Sequence, residues 1–121
     1  HIFTDNEYII NGDITRQGTN ISVTNGASGD VLVASGTDYM GAVVDYSFES
    51  AVGAQRFGTV RVNFNSSTAV MDETSTTDLG GSTDTVVFSA SVAGGNMTLS
   101  VANGIGNTIE LVAVVNLIFR N

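Results

Sequence analysis

The chain has 121 residues, twelve acidic and four basic, for a formal charge of −8, and it contains no lysine, cysteine, proline or tryptophan. Nucleic acid and anionic membrane surfaces are excluded as partners, because affinity for them rests on Lys and Arg displacing counterions and only Arg16, Arg56, Arg61 and Arg120 are present. The absence of cysteine rules out disulfides and thiolate chemistry, and a lone imidazole at His1 rules out zinc.

Taken in chain order, apolar and polar residues alternate in short runs with no sustained helical spacing, which predicts an all-β protein. The first 37 residues are rich in Asn, Thr and Gly; short strands are expected at 8–10, 20–24 and 30–34, and this part reads as a collar or stalk-proximal segment of one domain spanning 1–121. The clearest strand covers 41–50, with Val44, Tyr46 and Phe48 on one face and Asp45, Ser47 and Glu49 on the other. In the next, 56–64, Val60, Val62 and Phe64 face in while Thr59, Arg61 and Asn63 face out. A short strand at 68–71 precedes an acidic, hydroxyl-rich loop over 71–84. Strands then follow at 85–91, with Val86, Phe88 and Ala90 on one face, and at 96–102, with Met97, Leu99 and Val101.

Between these runs Asn11-Gly12, Asn25-Gly26, Gly80-Gly81, Gly94-Gly95 and Asn103-Gly104 supply residues that tolerate the positive φ of tight hairpins. Many strands at such even spacing predict an antiparallel β-sandwich of jelly-roll type. The last strand, 108–119, breaks the alternation. Ile109, Leu111, Ala113, Val115, Leu117 and Phe119 share one face, and Val112, Val114 and Ile118 occupy the other. A solvated edge strand would not be apolar on both sides, so this strand is central, its second face either partly covered within the sandwich or buried as an oligomer interface.

Charged residues make up only 13% of the chain, where an ordinary domain has roughly a quarter. Gly, Ser, Thr and Asn keep the surface wet instead, and a chain without lysine offers trypsin-like proteases only its arginines, which points to an extracellular or virion-surface protein. A start at His1 without methionine points to a chain cut from a longer polypeptide.

The acidic loop gathers Asp72, Glu73, Asp78 and Asp84 among hydroxyls, hard oxygen ligands of the kind calcium takes, although the spacing matches no EF-hand and no cofactor is expected. Glycoside hydrolysis would need a carboxylate pair such as Asp45 with Glu49 or Asp72 with Asp84, and a Ser/His/Asp triad lacks a histidine. Sugar binding calls for an exposed aromatic ring beside hydrogen-bonding groups, and Tyr39 next to Asp38 is the best candidate.

Segment 39–50, with its hydrophobic pair followed by Asp45-Tyr46-Ser47, and then Arg56-Phe57-Gly58-Thr59-Val60-Arg61-Val62, resembles a module at the ends of bacteriophage tail fibres and similar trimeric bacterial surface fibres. The acidic loop, Val86-Val87-Phe88-Ser89-Ala90, Met97-Thr98-Leu99-Ser100-Val101 and the long closing strand follow in the same order, so that the resemblance spans 39–119. It departs at Val112-Ala113-Val114-Val115-Asn116-Leu117, where a Tyr-Ser strand is usual.

The resemblance implies a compact β-sandwich head, a homotrimer at a fibre tip, that recognises cell-surface glycan or envelope protein without being an enzyme. Ligand contacts are then expected at Asp38, Tyr39, Asp72, Glu73, Asp78 and Asp84, and subunit contacts at Val112, Val114 and Ile118. Two other classes remain open: a structural virion component, a decoration or fibre-capping protein without a small ligand, and a polysaccharide-cleaving enzyme using Asp72 and Asp84.

Overall fold

The structure, a computed structural model, describes residues 7–10 and 14–120. Among them nine strands follow one another with no helix: β1 (Glu7–Ile10), β2 (Ile14–Val23), β3 (Ser28–Ser35), β4 (Tyr39–Ser50), β5 (Gln55–Phe64), β6 (Ala69–Ser75), β7 (Val86–Ala93), β8 (Asn96–Asn103) and β9 (Ile109–Phe119). They form an antiparallel sheet of six strands in the order β1-β2-β9-β4-β5-β6 and one of three in the order β3-β8-β7. This is the expected β-sandwich. β2 and β3 pair with β9 and β8, from the far end of the chain, in opposite sheets, whereas β4-β5-β6 and β7-β8 run as hairpins within one sheet each and so depart from the expected jelly-roll order. Within residues 1–37, β2 and β3 are thus members of the two sheets.

The alternation read from the sequence sets the inner faces. On β9, Ile109, Leu111, Ala113, Val115 and Leu117 are buried, and Val44, Tyr46 and Phe48 on β4 and Val60, Val62 and Phe64 on β5 join them. Opposite lie Met97, Leu99 and Val101 of β8 with Val86 and Phe88 of β7. Each such large side chain contributes about 1.5–3 kcal/mol on burial. A break in register between Asp30 and Leu32 marks a bulge, and it lets the consecutive residues Val31 and Leu32 both enter the core.

The smaller sheet covers one face of the larger. The opposite face of β9 therefore stays open: Val112 and Ile118 are exposed and Val114 is half-buried. The strand is central, as its composition required, held between β2 and β4.

Gly26, Gly80, Gly81, Gly94 and Gly95 take positive φ in turns and loops, as expected. Asn103 does not belong with them. It is buried at the end of β8, where its amide donates to the carbonyls of Val23 and Asn107, both at 2.9 Å, and so ties the ends of the two sheets together. Asn11-Gly12 and His1 lie outside the described residues.

Two groups of connections result. Segments 24–27, 51–54, 76–85 and 104–108 gather at one end, linked by bonds such as Ala51 N to Thr108 O at 3.0 Å. Segments 36–38, 65–68 and 94–95 meet Arg120 at the other, where Gly36 N donates to Gly95 O at 2.9 Å.

Candidate functional site

Consecutive residues of β5 point to opposite sides of the sheet, and the pair Arg56–Phe57 organises the first of these ends. Arg56 turns inward. A guanidinium taken out of water must have its donors filled. Its Nε donates to Tyr46 Oη at 3.0 Å, Nη1 to Thr83 O and Oγ1 at 3.1 and 3.2 Å, and Nη2 to Val86 O at 3.0 Å. Nη2 also lies 3.2 Å from Glu73 Oε2, and the guanidinium sits over the ring of Phe48, 5.0 Å from its centroid.

The Tyr46 hydroxyl donates in turn to Glu73. Burial first, and then that carboxylate neighbour, push the phenol up to about 12. Glycine is required at position 58 for this arrangement. A Cβ there would meet Thr74 O at 2.5 Å and Tyr46 Oη at 2.7 Å. Asp78 fastens the 76–85 segment over the cluster, accepting from the buried hydroxyl of Thr83 and from its backbone N–H at 2.8 Å. These bonds, the side-chain one above all, hold the Asp78 carboxyl below the usual carboxylate range.

Phe57 turns outward and is 57% exposed. Its backbone N–H and C=O are both held by Thr76, with Thr76 N donating to Phe57 O at 2.8 Å and Phe57 N to Thr76 Oγ1 at 3.3 Å. The ring stands between two shallow clefts. One, of about 150 Å³, is bordered by Ser47, Gln55, Thr76 and Leu79; the other, of about 250 Å³, by Gly58, Thr74, Ser75 and Thr76. An exposed ring on a fixed strand, with an amide and hydroxyls on both flanks, can stack against the apolar face of a sugar while hydrogen-bonding its rim.

The residues singled out in the sequence are not gathered in one place. Asp38 and Tyr39 lie at the opposite end, where Arg120 N donates to Asp38 O at 2.8 Å. Tyr39 packs its ring on Phe119 with centroids 4.8 Å apart and is half-buried, and among the described residues the exposed aromatic is Phe57 instead. Asp72 and Glu73 belong to β6 and not to a loop, because pairing with β5 continues as far as Gly58 opposite Ser75. Strand alternation then parts them. Asp72 faces out in a two-pronged pair with Arg61, at 3.0 and 2.7 Å, and Glu73 faces in toward Arg56.

Asp84 is exposed beside Ser82. Among the described residues no three acidic or histidine side chains converge as a metal site would require. Asp45 and Glu49 both face outward on β4, and four residues of strand put them about 13 Å apart, beyond the roughly 5–9.5 Å of a glycosidase pair. Phe57 was within reach of the sequence. Two-residue alternation counted back from Val60 places it outside.

No protein-family model matches the chain, and no curated protein does. Among solved structures it is similar to the tailspike protein gp49 of Acinetobacter baumannii bacteriophage Fri1, a capsular polysaccharide depolymerase, at TM-score 0.49 and 15% identity, over 88% of this chain and 19% of that one. It is also similar to the tailspike protein of Acinetobacter baumannii phage AM24, at TM-score 0.47 and 11% identity, over 88% and 26%. Both neighbours are phage tailspikes. The chain spans about a fifth and a quarter of their lengths, and what those proteins act on is theirs. The expectation that the chain is not an enzyme is corrected by this finding, since one neighbour of the sandwich is a depolymerase.

Proposed function

We propose that the chain is a phage tail-associated module, working outside the cell, that engages cell-surface glycan at the Phe57 end of the sandwich. The observation that carries this reading is the exposed Phe57 ring, held rigid by Thr76 and flanked by Gln55, Ser47, Thr74 and Ser75. Single-site sugar affinity is weak, and several copies on one particle make adhesion firm through effective concentration. The open row of Val112, Val114 and Ile118 supports self-association, as a homotrimer, as the means of presenting those copies.

The test is binding of the purified chain to bacterial envelope polysaccharide, compared with Phe57→Ala. Loss of binding with an unchanged fold is expected, and equal binding by both proteins would overturn the reading. Release of new reducing or unsaturated ends in the same incubation reports cleavage. Native mass by light scattering reads the self-association, for which a trimer is expected and a monomer would remove it. A structural reading, as a decoration or fibre-capping component, is favoured by the apolar outer row of β9 alone; it predicts assembly without polysaccharide binding.

A further inference from the structure

Outward positions of β5 continue from Phe57 through Thr59 and Arg61 to Asn63, where the same face ends in a third cleft. This cleft, of about 330 Å³, is bordered by Met40, Asn63, Asn65, Thr68, Val70 and Arg120. Its polar groups are partly committed in a way that leaves donors over. Arg120 spends Nη2 on the carbonyls of Tyr39 and Phe64, at 3.1 and 3.0 Å, which fixes the guanidinium while Nε and Nη1 make no bond among the described residues. Asn65 spends its Oδ1 on the N–H groups of Ser67 and Thr68, both at 2.8 Å, and keeps its NH₂ as a donor. Met40 and Val70, 42% and 60% exposed, supply an apolar wall beside these donors.

An acetamido group has the matching parts: a methyl for the wall, a carbonyl oxygen for the guanidinium or amide donors, and an N–H for the side-chain oxygens of Asn63 or Thr68. An anionic sugar would meet one guanidinium against a net charge of −8, so the matching ligand is neutral. From Phe57 to Asn63 the strand rises about 20 Å, the reach of about four pyranose rings in a line.

We propose that this cleft is a second glycan subsite, taking the acetamido group of a neutral N-acetylhexosamine in a linear chain whose other end lies on Phe57. The inference rests on the glycan reading of the Phe57 end and adds to it a sugar type and a minimum length.

Calorimetric titration of the chain with chitohexaose, chitobiose and cellohexaose tests it. Cellohexaose carries a hydroxyl in place of each acetamido group and should bind at least about tenfold more weakly than chitohexaose, as loss of contacts to one small apolar group predicts. Chitobiose, too short to bridge the clefts, should also bind at least about tenfold more weakly than the hexamer. The double variant M40S/V70S should cut chitohexaose affinity about tenfold and leave the thermal midpoint unchanged, because both side chains are at the surface.

Equal affinity for chitohexaose and cellohexaose, no effect of M40S/V70S, or no binding of chitohexaose would each overturn the subsite. If envelope polysaccharide still binds in a Phe57-dependent manner in those cases, the broader reading stands and only the subsite falls. Polysaccharide binding that is indifferent to Phe57→Ala removes both.

Discussion

Arg56 and Phe57 are neighbours in sequence with reversed placement: the cation is inside the sandwich and the large aromatic is outside. Inside, every polar atom is answered, by Tyr46, Glu73, Thr83 and the carbonyl of Val86, and rings of Phe48 and Tyr46 flank the guanidinium. Outside, the ring of Phe57 covers nothing of the core and is surrounded by hydroxyls and an amide. The difference separates what holds the end of the sandwich together from what is free to meet a ligand. It also ties the two, because the 76–85 segment fastened through Thr83 and Asp78 begins with Thr76, which fixes the Phe57 backbone.

The comparison can be broken most sharply from the inside. Arg56→Leu strands Glu73 and the Thr83 carbonyl without their cation, and denaturant unfolding should show a loss of about 3–5 kcal/mol. Gly58→Ala forces a methyl against the Thr74 carbonyl, and a smaller loss of about 1–3 kcal/mol is expected in the same assay.

The pH profile of stability follows from two groups. Tyr46 titrates higher in the folded state than in the unfolded chain, so its contribution is complete below about pH 10 and is lost as pH rises toward 12. Asp78 titrates lower when folded, so its contribution is present above about pH 4 and is lost as pH falls through its depressed value. Tyr46→Phe should flatten the alkaline limb and Asp78→Asn the acid limb, as read by thermal midpoint against pH.

The outside should answer in binding and not in stability. Phe57→Ala is expected to change unfolding free energy by no more than about 0.5 kcal/mol while polysaccharide binding is lost. The smallest effect is expected for Arg61→Ala, whose pair with Asp72 is exposed on both sides, and its unfolding curve should superimpose on that of the parent.

Much of the fold was legible locally. The inner faces of β4, β5, β8 and β9 follow from two-residue alternation, and the apolar content of β9 pointed to its central place, where β2 and β4 pair both of its backbone edges although its outer face stays open. The site was less legible. Glu73 was read as a loop carboxylate because Asp72-Glu73-Thr74-Ser75 has no apolar alternation; only pairing with β5 makes it strand and turns Glu73 inward. The bulge that buries both Val31 and Leu32 depends on the β8 register in the same way.

By itself, then, the sequence determined the β class, the composition of each strand face and several turns, since these are properties of the backbone period and of individual residues' φ preferences. The tertiary structure alone decided that Arg56 finds Glu73 and Thr83, that Tyr39 is packed away on Phe119, and that Phe57 and the Arg120 cleft lie on one open face. Those outcomes depend on which strands pair and on a three-stranded sheet covering only one side of a six-stranded one, and no local pattern encodes contacts between residues so far apart in the chain.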